Sequence, residues 1–240
     1  MNKPKRILCL DFDDVIMRTK TVIEPIIARI EPLATEAYLI SISDDFRNGK
    51  IDAEEKQART TIHFDYKDRV LEEFDDKYKN RINYERVINI NNVYNGAVEY
   101  VNYLCNCGLY DKVYIVSHYN VDREVDAKRK FIDKYLPKVE FVPVPFHIET
   151  YEEGKIRKRT NKASFLKQHA KLDSIDYRFT LVDDSMGNGV DWRKAGGIFI
   201  KYNPYGVNNY PHEVGSLLPL DIQTLSELPR LESGEQSRKR

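Results

Sequence analysis

Carboxylate and hydroxyl side chains of the sequence are concentrated at the ends of short apolar runs. Asp11 and Asp13 follow the run Ile7–Leu10, Ser117 and His118 follow Val113–Val116, and Asp183 and Asp184 follow Phe179–Val182. Several carboxylates in one cleft repel one another, and a divalent cation can neutralise such a cluster. Magnesium prefers hard oxygen ligands and bridges one or two carboxylates to a substrate phosphate. The four aspartates therefore predict a Mg²⁺ site beside a bound phosphoryl group.

These residue types are suited to phosphoryl transfer. An aspartate can attack phosphorus to give an aspartyl-phosphate, which divides one difficult displacement into two easier ones. A second carboxylate two residues further along can protonate the leaving oxygen and later activate water. Ser117 would donate a hydrogen bond to a phosphoryl oxygen, and the ammonium group of Lys162 would offset charge on the nucleophile and the phosphate. Ser117 and Lys162 are therefore predicted to be catalytic and phosphate-binding residues.

The apolar runs indicate buried strands of a parallel sheet. They are short, rich in β-branched residues and without polar alternation, as expected when both faces of a sheet are covered. Val139–Val144 and Ile198–Lys201 have the same character. Helical patterns lie between the runs, at Asn95–Gly108, Val121–Tyr135 and Asn161–Lys171. Thr160 is the predicted N-terminal cap of the last helix. This order of elements predicts an α/β fold with a doubly wound parallel sheet, in which ligands bind at the carboxyl ends of the strands.

Residues 20–92 have a different pattern and form a predicted helical insertion after the first strand. Glu24–Ile42 and Ala53–Tyr78 are predicted helices, and Val87–Ile90 is the first strand-like run of this segment. The predicted organisation is thus a core of residues 1–19 and 93–228, a helical cap of residues 20–92 and a flexible tail of residues 229–240.

The composition limits the classes of partner. Lys plus Arg total 38 and Asp plus Glu total 38, so no net charge attracts the chain to nucleic acid or to an anionic membrane. Three cysteines, an odd number, do not suggest a disulfide framework or a four-ligand zinc site, which favours a reducing, cytoplasmic compartment. We expect a small phosphorylated substrate, with no stable nucleic-acid partner and no membrane association. Trp192 is expected to pack in the core.

Four segments, in this order, resemble the motifs of the haloacid dehalogenase-like (HAD) phosphohydrolase superfamily. The first is Asp11-Phe-Asp-Asp-Val15 after an apolar strand, and the second is Ser117 at the end of the next strand. The third is Lys162 near a helix start, and the fourth is Asp183-Asp-Ser-Met-Gly-Asn188. The resemblance covers roughly residues 5–18 and 94–205.

The resemblance implies roles for individual residues. Asp11 would be the nucleophile, and Asp13 would be the general acid and base and would lend its backbone carbonyl to Mg²⁺. Asp183, with Asp184 near it, would complete the metal site. The helical insertion would correspond to the cap of many such enzymes, and the segment around Trp192 is similar to nucleotidase-like members.

Some positions depart from the motifs or leave alternatives open. Asp14 is an additional acid in the first motif, and Lys155, Lys158 and Lys167 compete with Lys162 for its role. His118 is assigned to the substrate phosphate site, although a hydrogen-bonded neighbour of the cleft is the alternative reading.

The expected activity is that of a magnesium-dependent phosphomonoesterase acting on a small phosphorylated metabolite, with nucleotides among the candidates. A phosphomutase and an inactive binding or regulatory protein with the same fold are alternatives. Dehalogenation is disfavoured because attack on a carbon–halogen bond needs no second acid at Asp13. A response-regulator receiver is disfavoured by length and by order. In a receiver the phosphorylated aspartate follows the acidic pair and the lysine comes last, whereas here Lys162 precedes Asp183.

Overall fold

The computed structural model describes residues 5–29, 31–73, 82–151, 154–171, 177–203, 213–214 and 217. Within these residues, seven strands form one sheet: β1 Lys5–Leu10, β2 Lys112–Tyr119, β3 Glu140–Tyr151, β4 Gly154–Arg159, β5 Tyr177–Asp183, β6 Ile198–Tyr202 and β7 Glu213–Val214. Their order across the sheet is β4-β3-β2-β1-β5-β6-β7. All neighbouring strands are parallel except β3 and β4, which are antiparallel. The five strands predicted from the sequence are confirmed.

The sheet is covered on both faces, as the uninterrupted apolar runs predicted. Within β1, Leu8 and Leu10 belong to the core on one face, whereas Ile7 and Cys9 belong to the core on the other. This division follows from the alternation of side chains along a strand. Apolar side chains at every position from Ile7 to Leu10 therefore bury both surfaces of the sheet.

Four helices form the two outer layers of the core: α5 Ala97–Asn106, α6 Asp122–Tyr135, α7 Lys162–Ala170 and α8 Met186–Lys194. Side chains of α5 and α6 pack on the face of Leu8, and side chains of α7 and α8 pack on the face of Ile7. Trp192 of α8 is fully buried and meets Phe179 edge to face, with ring centroids 5.2 Å apart. Its predicted place in the core is confirmed.

The segment between β1 and α5 is helical in its described residues. It contains α1 Thr19–Ala28, α2 Glu36–Arg47, α3 Ala53–Glu73 and α4 Tyr84–Val87, with short 3₁₀ turns at Pro32–Ala34 and Ile90–Asn92. The fold class, a doubly wound α/β sheet with a helical insertion after the first strand, is confirmed. The exact domain boundaries stay predictions, and the predicted tail of residues 229–240 lies outside the described residues.

Two predictions for elements of the insertion need correction, and a third is confirmed as far as its residues are described. The predicted helix Glu24–Ile42 is two helices, because the chain turns at Pro32 and restarts at Thr35, whose side chain accepts a hydrogen bond from the Tyr38 N–H. Val87–Ile90 is not a strand. Its residues end α4 and begin a 3₁₀ turn. The predicted helix that starts at Ala53 is described as far as Glu73.

No helix among the described residues combines the length and the apolar character needed to cross a bilayer.

Candidate active site

A cavity of about 200 Å³ lies at the carboxyl ends of the central strands. Asp11 and Asp13 border it from the loop after β1, His118 borders it from the end of β2, and Asp184 borders it from the end of β5. The strand β1 lies between β2 and β5. The strand order runs from β1 through β2 to β3 on one side and from β1 through β5 to β6 on the other, so the order reverses at β1. Ligands of open α/β sheets bind in the crevice at such a switch point.

Lys162 joins the first and fourth predicted motifs. Its Nζ lies 2.7 Å from Asp11 Oδ2 and 2.8 Å from Asp183 Oδ2, and its side chain is buried. The other oxygen of Asp11 accepts a hydrogen bond from the Phe12 N–H at 2.7 Å. The carboxylate of Asp11 is therefore fixed in direction by a cation and a backbone donor.

The competing lysines are not equivalent to Lys162. Lys167 Nζ donates to the carbonyl oxygen of Ala195 at 2.9 Å, away from Asp11. The side chains of Lys155 and Lys158 lie outside the described part of the chain. Among the described lysines, Lys162 is the one that contacts Asp11.

The helix that carries Lys162 has a different cap from the predicted one. Asn161, not Thr160, is the N-cap, because its side chain accepts a hydrogen bond from the Ser164 N–H at 3.0 Å. Asn is at least as good a cap as Thr, so the shift by one residue is reasonable. Lys162 becomes the first residue of α7, where its side chain turns towards Asp11.

Asp13 belongs to a second cluster, which is built around a lysine that the sequence analysis missed. Lys128 Nζ lies 2.5 Å from Asp13 Oδ2 and 2.7 Å from Glu124 Oε1. The same ammonium group donates to Ser117 Oγ at 3.0 Å, and Ser117 Oγ donates to Asp13 Oδ2 at 3.0 Å. Ser117 is thus brought to the site, although its hydroxyl donates to Asp13 in this structure. Its predicted contact with phosphate stays a prediction.

The loop after β1 also attaches to the first helix of the insertion. Thr19 Oγ1 donates to Asp13 Oδ1 at 2.7 Å, and the Lys20 N–H donates to Asp14 Oδ1 at 3.0 Å. Asp14 has φ of 56°, a left-handed conformation that Asp tolerates better than most residues. The additional acid of the first motif therefore holds the start of α1.

His118 lines the cavity and is held by neighbours outside the motifs. Its Nε2 lies 2.8 Å from the Thr160 carbonyl oxygen, and its ring stacks on that of Phe146 with centroids 4.7 Å apart. The ring is thereby fixed beside the cavity. Its predicted contact with the substrate phosphate remains a prediction.

The pKa values of the site carboxyls are shifted in opposite directions, because burial raises all of them and Lys128 opposes the rise at Asp13. Burial raises the pKa of Asp11 to about 7, with Lys162 opposing and Asp183 and Asp13 adding to the rise. Burial also raises the pKa of Asp184 to about 6, and the negative charge of Asp11 adds to the rise. Burial acts on Asp13 in the same sense, but the charge and hydrogen bonds of Lys128, with further hydrogen bonds, bring its pKa below the ordinary value.

The carboxylates of Asp11, Asp183 and Asp184 fit a magnesium site. One oxygen from each lies within 4.8 Å of the others. Hard oxygen donors at this spacing match Mg²⁺. Burial raises the pKa values of Asp11 and Asp184, and a divalent cation would offset the cost of ionising both carboxyls. The side chain of Asp13 is not in this group and is bound by Lys128, and the predicted metal contact of its backbone carbonyl stays a prediction.

The positions of all seven predicted site residues agree with a single site. Asp11, Asp13, His118 and Asp184 border the cavity, and Ser117, Lys162 and Asp183 lie directly behind it in hydrogen-bond contact with them. Lys128 and Glu124 were missed, although both lie on the helix that follows Ser117.

Comparison with known proteins locates the chain by its fold. No protein-family model matches the sequence, and no curated protein is detectably similar to it. The HAD-hydrolase YfnB from Bacillus subtilis, solved with magnesium, has a TM-score of 0.52 and 14% identity, covering 91% of this chain and 97% of the other. A haloacid dehalogenase-like hydrolase from Burkholderia xenovorans has a TM-score of 0.43 and 16% identity, with 89% and 96% covered. The HAD domain of the Legionella pneumophila effector Lem4 has a TM-score of 0.40 and 14% identity, with 86% and 90% covered.

The similarity to YfnB extends over nearly the whole of both chains, insertion included, and it is a similarity of fold. It agrees with the four motifs, which the structure brings together at one edge of the sheet. This chain therefore has the fold of the haloacid dehalogenase-like hydrolases.

Proposed function

We propose that the protein is a magnesium-dependent phosphomonoesterase that hydrolyses a small phosphorylated metabolite through an aspartyl-phosphate. One observation carries the proposal: Asp11 and Asp13 border the same cavity, and each is paired with its own buried lysine. Phosphate ester hydrolysis needs a nucleophile and an acid that later acts as a base. Two carboxylates held separately are suited to these two tasks.

In the first step, a carboxylate oxygen of Asp11 attacks phosphorus as the bond from phosphorus to the leaving oxygen breaks. Asp13 gives a proton to that oxygen, so that an alcohol leaves. Lys162 stays beside Asp11 and offsets negative charge on the phosphoryl group. The product of this step is a phosphoryl group bonded to Asp11.

In the second step, water attacks the same phosphorus and gives a proton to Asp13. The bond from phosphorus to Asp11 breaks, and inorganic phosphate is released. Asp13 is now protonated, as the next first step requires. Magnesium, held by Asp11, Asp184 and the backbone of Asp13, would supply positive charge that orients the phosphoryl group and lowers its repulsion of Asp11.

The cavity volume supports a small substrate. About 200 Å³ is enough for a phosphoryl group with a small organic group, and Ile23 and Tyr84 of the insertion are among the lining residues. This volume favours compact metabolites in the conformation described. Ser117 and His118 are proposed phosphate contacts at its inner wall.

The proposal is tested by a screen of phosphorylated metabolites, nucleotides included, with Mg²⁺ and with chelator. Release of inorganic phosphate distinguishes hydrolysis from the isomer produced by a mutase. Asp11→Asn should abolish the activity, whereas the matched variant Asp133→Asn, at an exposed position of α6, should match the wild type. Equal activities of the wild type and Asp11→Asn would show that the nucleophile is wrongly assigned.

A further inference from the structure

Lys128 is a fully buried cation that the proposed reaction does not use directly. Its ammonium group contacts four acceptors: Asp13 Oδ2, Glu124 Oε1, Ser117 Oγ and the carbonyl oxygen of His118, the last at 2.9 Å. An ammonium group has three N–H donors, so these contacts occupy it completely. Lys128 is not among the residues that line the cavity, and it cannot itself reach a substrate there.

The place of Lys128 in its helix argues against a purely structural role. The side chain points to the core side of α6, three and four residues before the buried Phe131 and Ile132. An apolar side chain at such a position would pack without desolvating a charge, and buried ion pairs are often no more stabilising than apolar replacements. A buried lysine here is therefore better explained by what it does to Asp13.

The contacts of Asp13 give its two oxygens different tasks. Lys128 and Ser117 both donate to Oδ2, which fills the two lone-pair sites of that oxygen. Oδ1 accepts from Thr19 and, among the described residues, keeps a second lone-pair site. Oδ1 is thus the oxygen that can exchange a proton in the cavity.

We infer that Lys128 is a positioning residue, which, anchored by Glu124, binds Asp13 Oδ2 and presents Oδ1 to the leaving group and to water. The inference rests on the proposed function, since it assigns a support to the acid and base of that reaction. Glu124 also accepts from the N–H and side chain of Asn120 at 2.9 and 3.2 Å. The chain of contacts from Asp13 through Lys128 and Glu124 therefore ends at Asn120, in the loop after β2.

The first test compares Lys128→Met with the wild type on an alkyl phosphate identified in the screen. The expected result is a kcat reduced tenfold or more with KM within threefold, because the substrate contacts remain and proton exchange is impaired. The matched control is Lys134→Met, an exposed lysine of the same helix, which should behave as the wild type.

The second test uses p-nitrophenyl phosphate, whose leaving group departs without a proton. Lys128→Met should release a rapid first equivalent of p-nitrophenolate, because attack by Asp11 does not need Asp13. Later turnovers should be slowed tenfold or more, because water attack on the phosphorylated Asp11 needs a base. General damage to the site would slow the first turnover and the later ones alike.

The third test is a double-mutant cycle with Asp13→Asn. If Lys128 acts through Asp13, Lys128→Met should lower kcat no further in the Asp13→Asn background. A folded Lys128→Met enzyme with kcat within twofold of the wild type, or losses that multiply in the double variant, would overturn the inference.

Removal of Lys128 leaves two neighbouring carboxylates without their cation, and the variant can fail to fold. Glu124→Gln then replaces it, because the Lys128–Asp13 pair is kept while the anionic anchor of Lys128 becomes neutral. Its kcat should fall three- to tenfold, and this loss should disappear in the Asp13→Asn background. A Glu124→Gln enzyme as fast as the wild type would contradict the inference.

The outcomes separate the inference from the proposed function. If wild type and Asp11→Asn are equally active, both are wrong. If activity depends on Asp11 but not on Lys128 or Glu124, the proposed function stands and only the inference is wrong.

Discussion

Both oxygens of the Asp13 carboxylate accept hydrogen bonds from neighbouring side chains. Thr19 donates to one oxygen, and Lys128 and Ser117 donate to the other, so that Asp13→Asn keeps the shape of the side chain and loses proton exchange. We predict that turnover of this variant falls on the order of a hundredfold or more, the usual scale for a general acid or base. Steady-state kinetics with an alkyl phosphate measures the loss.

Magnesium binding provides the control for that variant. The three carboxylates grouped for the metal do not include the side chain of Asp13, so the affinity measured by calorimetric titration should stay within about threefold. Unchanged turnover would exclude Asp13 as the acid and base. A complete loss of Mg²⁺ binding would mean that its carboxylate is a metal ligand.

Asp183 and Asp184 are neighbours in sequence with different surroundings. Asp183 is fully buried and accepts hydrogen bonds from Lys162, the Ser185 N–H and the Asn188 side chain, at 2.7 to 2.8 Å. Asp184 is half-buried and borders the cavity. Asp184 thus offers the more accessible oxygen, whereas Asp183 holds Lys162.

We predict that these two aspartates separate metal binding from stability. Asp184→Asn should raise the Mg²⁺ concentration for half-maximal activity tenfold or more with little change in stability. Asp183→Asn should lower the free energy of unfolding by about 3 kcal/mol, because the buried Lys162 loses a partner. Activity at varied Mg²⁺ and urea unfolding measure the two effects, and identical behaviour of the variants would contradict the assignment.

The site residues that were predicted and Lys128, one of the two that were missed, differ in how clearly the sequence marks them. Asp11, Ser117 and Asp183 each end an apolar strand, a position where a ligand site is expected. Lys128 lies inside a helix with many charged residues, so the sequence does not distinguish it from the exposed lysines around it. Its burial could be inferred only from its spacing to Val125, Phe131 and Ile132, which are the apolar side of that helix.

At the scale of elements, α8 lies close to β6 because it carries a glycine where the two meet. A Cβ at Gly189 would lie 2.3 Å from Cε1 of Phe199, whose ring is buried. This contact brings α8, and with it Ser185 and Asn188, to the end of β5. A side chain at Gly189 would push the helix away from the sheet.

We predict that Gly189→Ala lowers the free energy of unfolding by about 1 to 3 kcal/mol, as overpacking of a core usually does. The control is Gly187→Ala in the same helix, where the position is exposed and alanine should be neutral or stabilising by up to about 1 kcal/mol. Urea unfolding compares the two variants. Equal stability of both would mean that Phe199 moves aside at little cost.

The elements of the core were predictable and those of the insertion were less so. Strands such as β1 and β5 are marked by short apolar runs with no helical alternative of sufficient length. Within Glu24–Ile42 the helical pattern continues through Pro32, whereas α1 ends at Ala28 and α2 begins at Glu36, with the 3₁₀ turn Pro32–Ala34 before it. The apolar run Val87–Ile90 satisfies a strand pattern but packs as a helix end, because tertiary contacts override weak local preference.

At the scale of the whole molecule, the order of strands was partly predictable. A doubly wound sheet places β1 in the centre, which brings the ends of β1, β2 and β5 together. The antiparallel strand β4 was not predictable, because its sequence has four basic residues in six. Such a strand is typical of a sheet edge, where positive charge discourages pairing with another chain.

The whole site also links protonation to stability. Asp11 and Asp14 have pKa values raised to about 7, and Asp184 has one raised to about 6, from an ordinary value of 3.8. Between pH 4 and 7 the folded protein therefore binds more protons than the unfolded chain, so that its stability falls as the pH rises. Asp13, whose pKa is lowered, acts in the opposite sense, and its contribution is lost only as the pH falls below its ordinary pKa.

Magnesium should oppose this loss, because it binds the ionised carboxylates and not the protonated ones. We predict that, in chelator, the melting temperature falls from pH 5 to pH 7, and that the rise produced by added Mg²⁺ grows over the same interval. Thermal unfolding of wild type and Asp184→Asn, with and without Mg²⁺, measures both effects, and the variant should lose most of the metal-dependent part. A magnesium effect of constant size from pH 5 to pH 8 would mean that protons and metal do not compete for these carboxylates, and that the cation binds elsewhere.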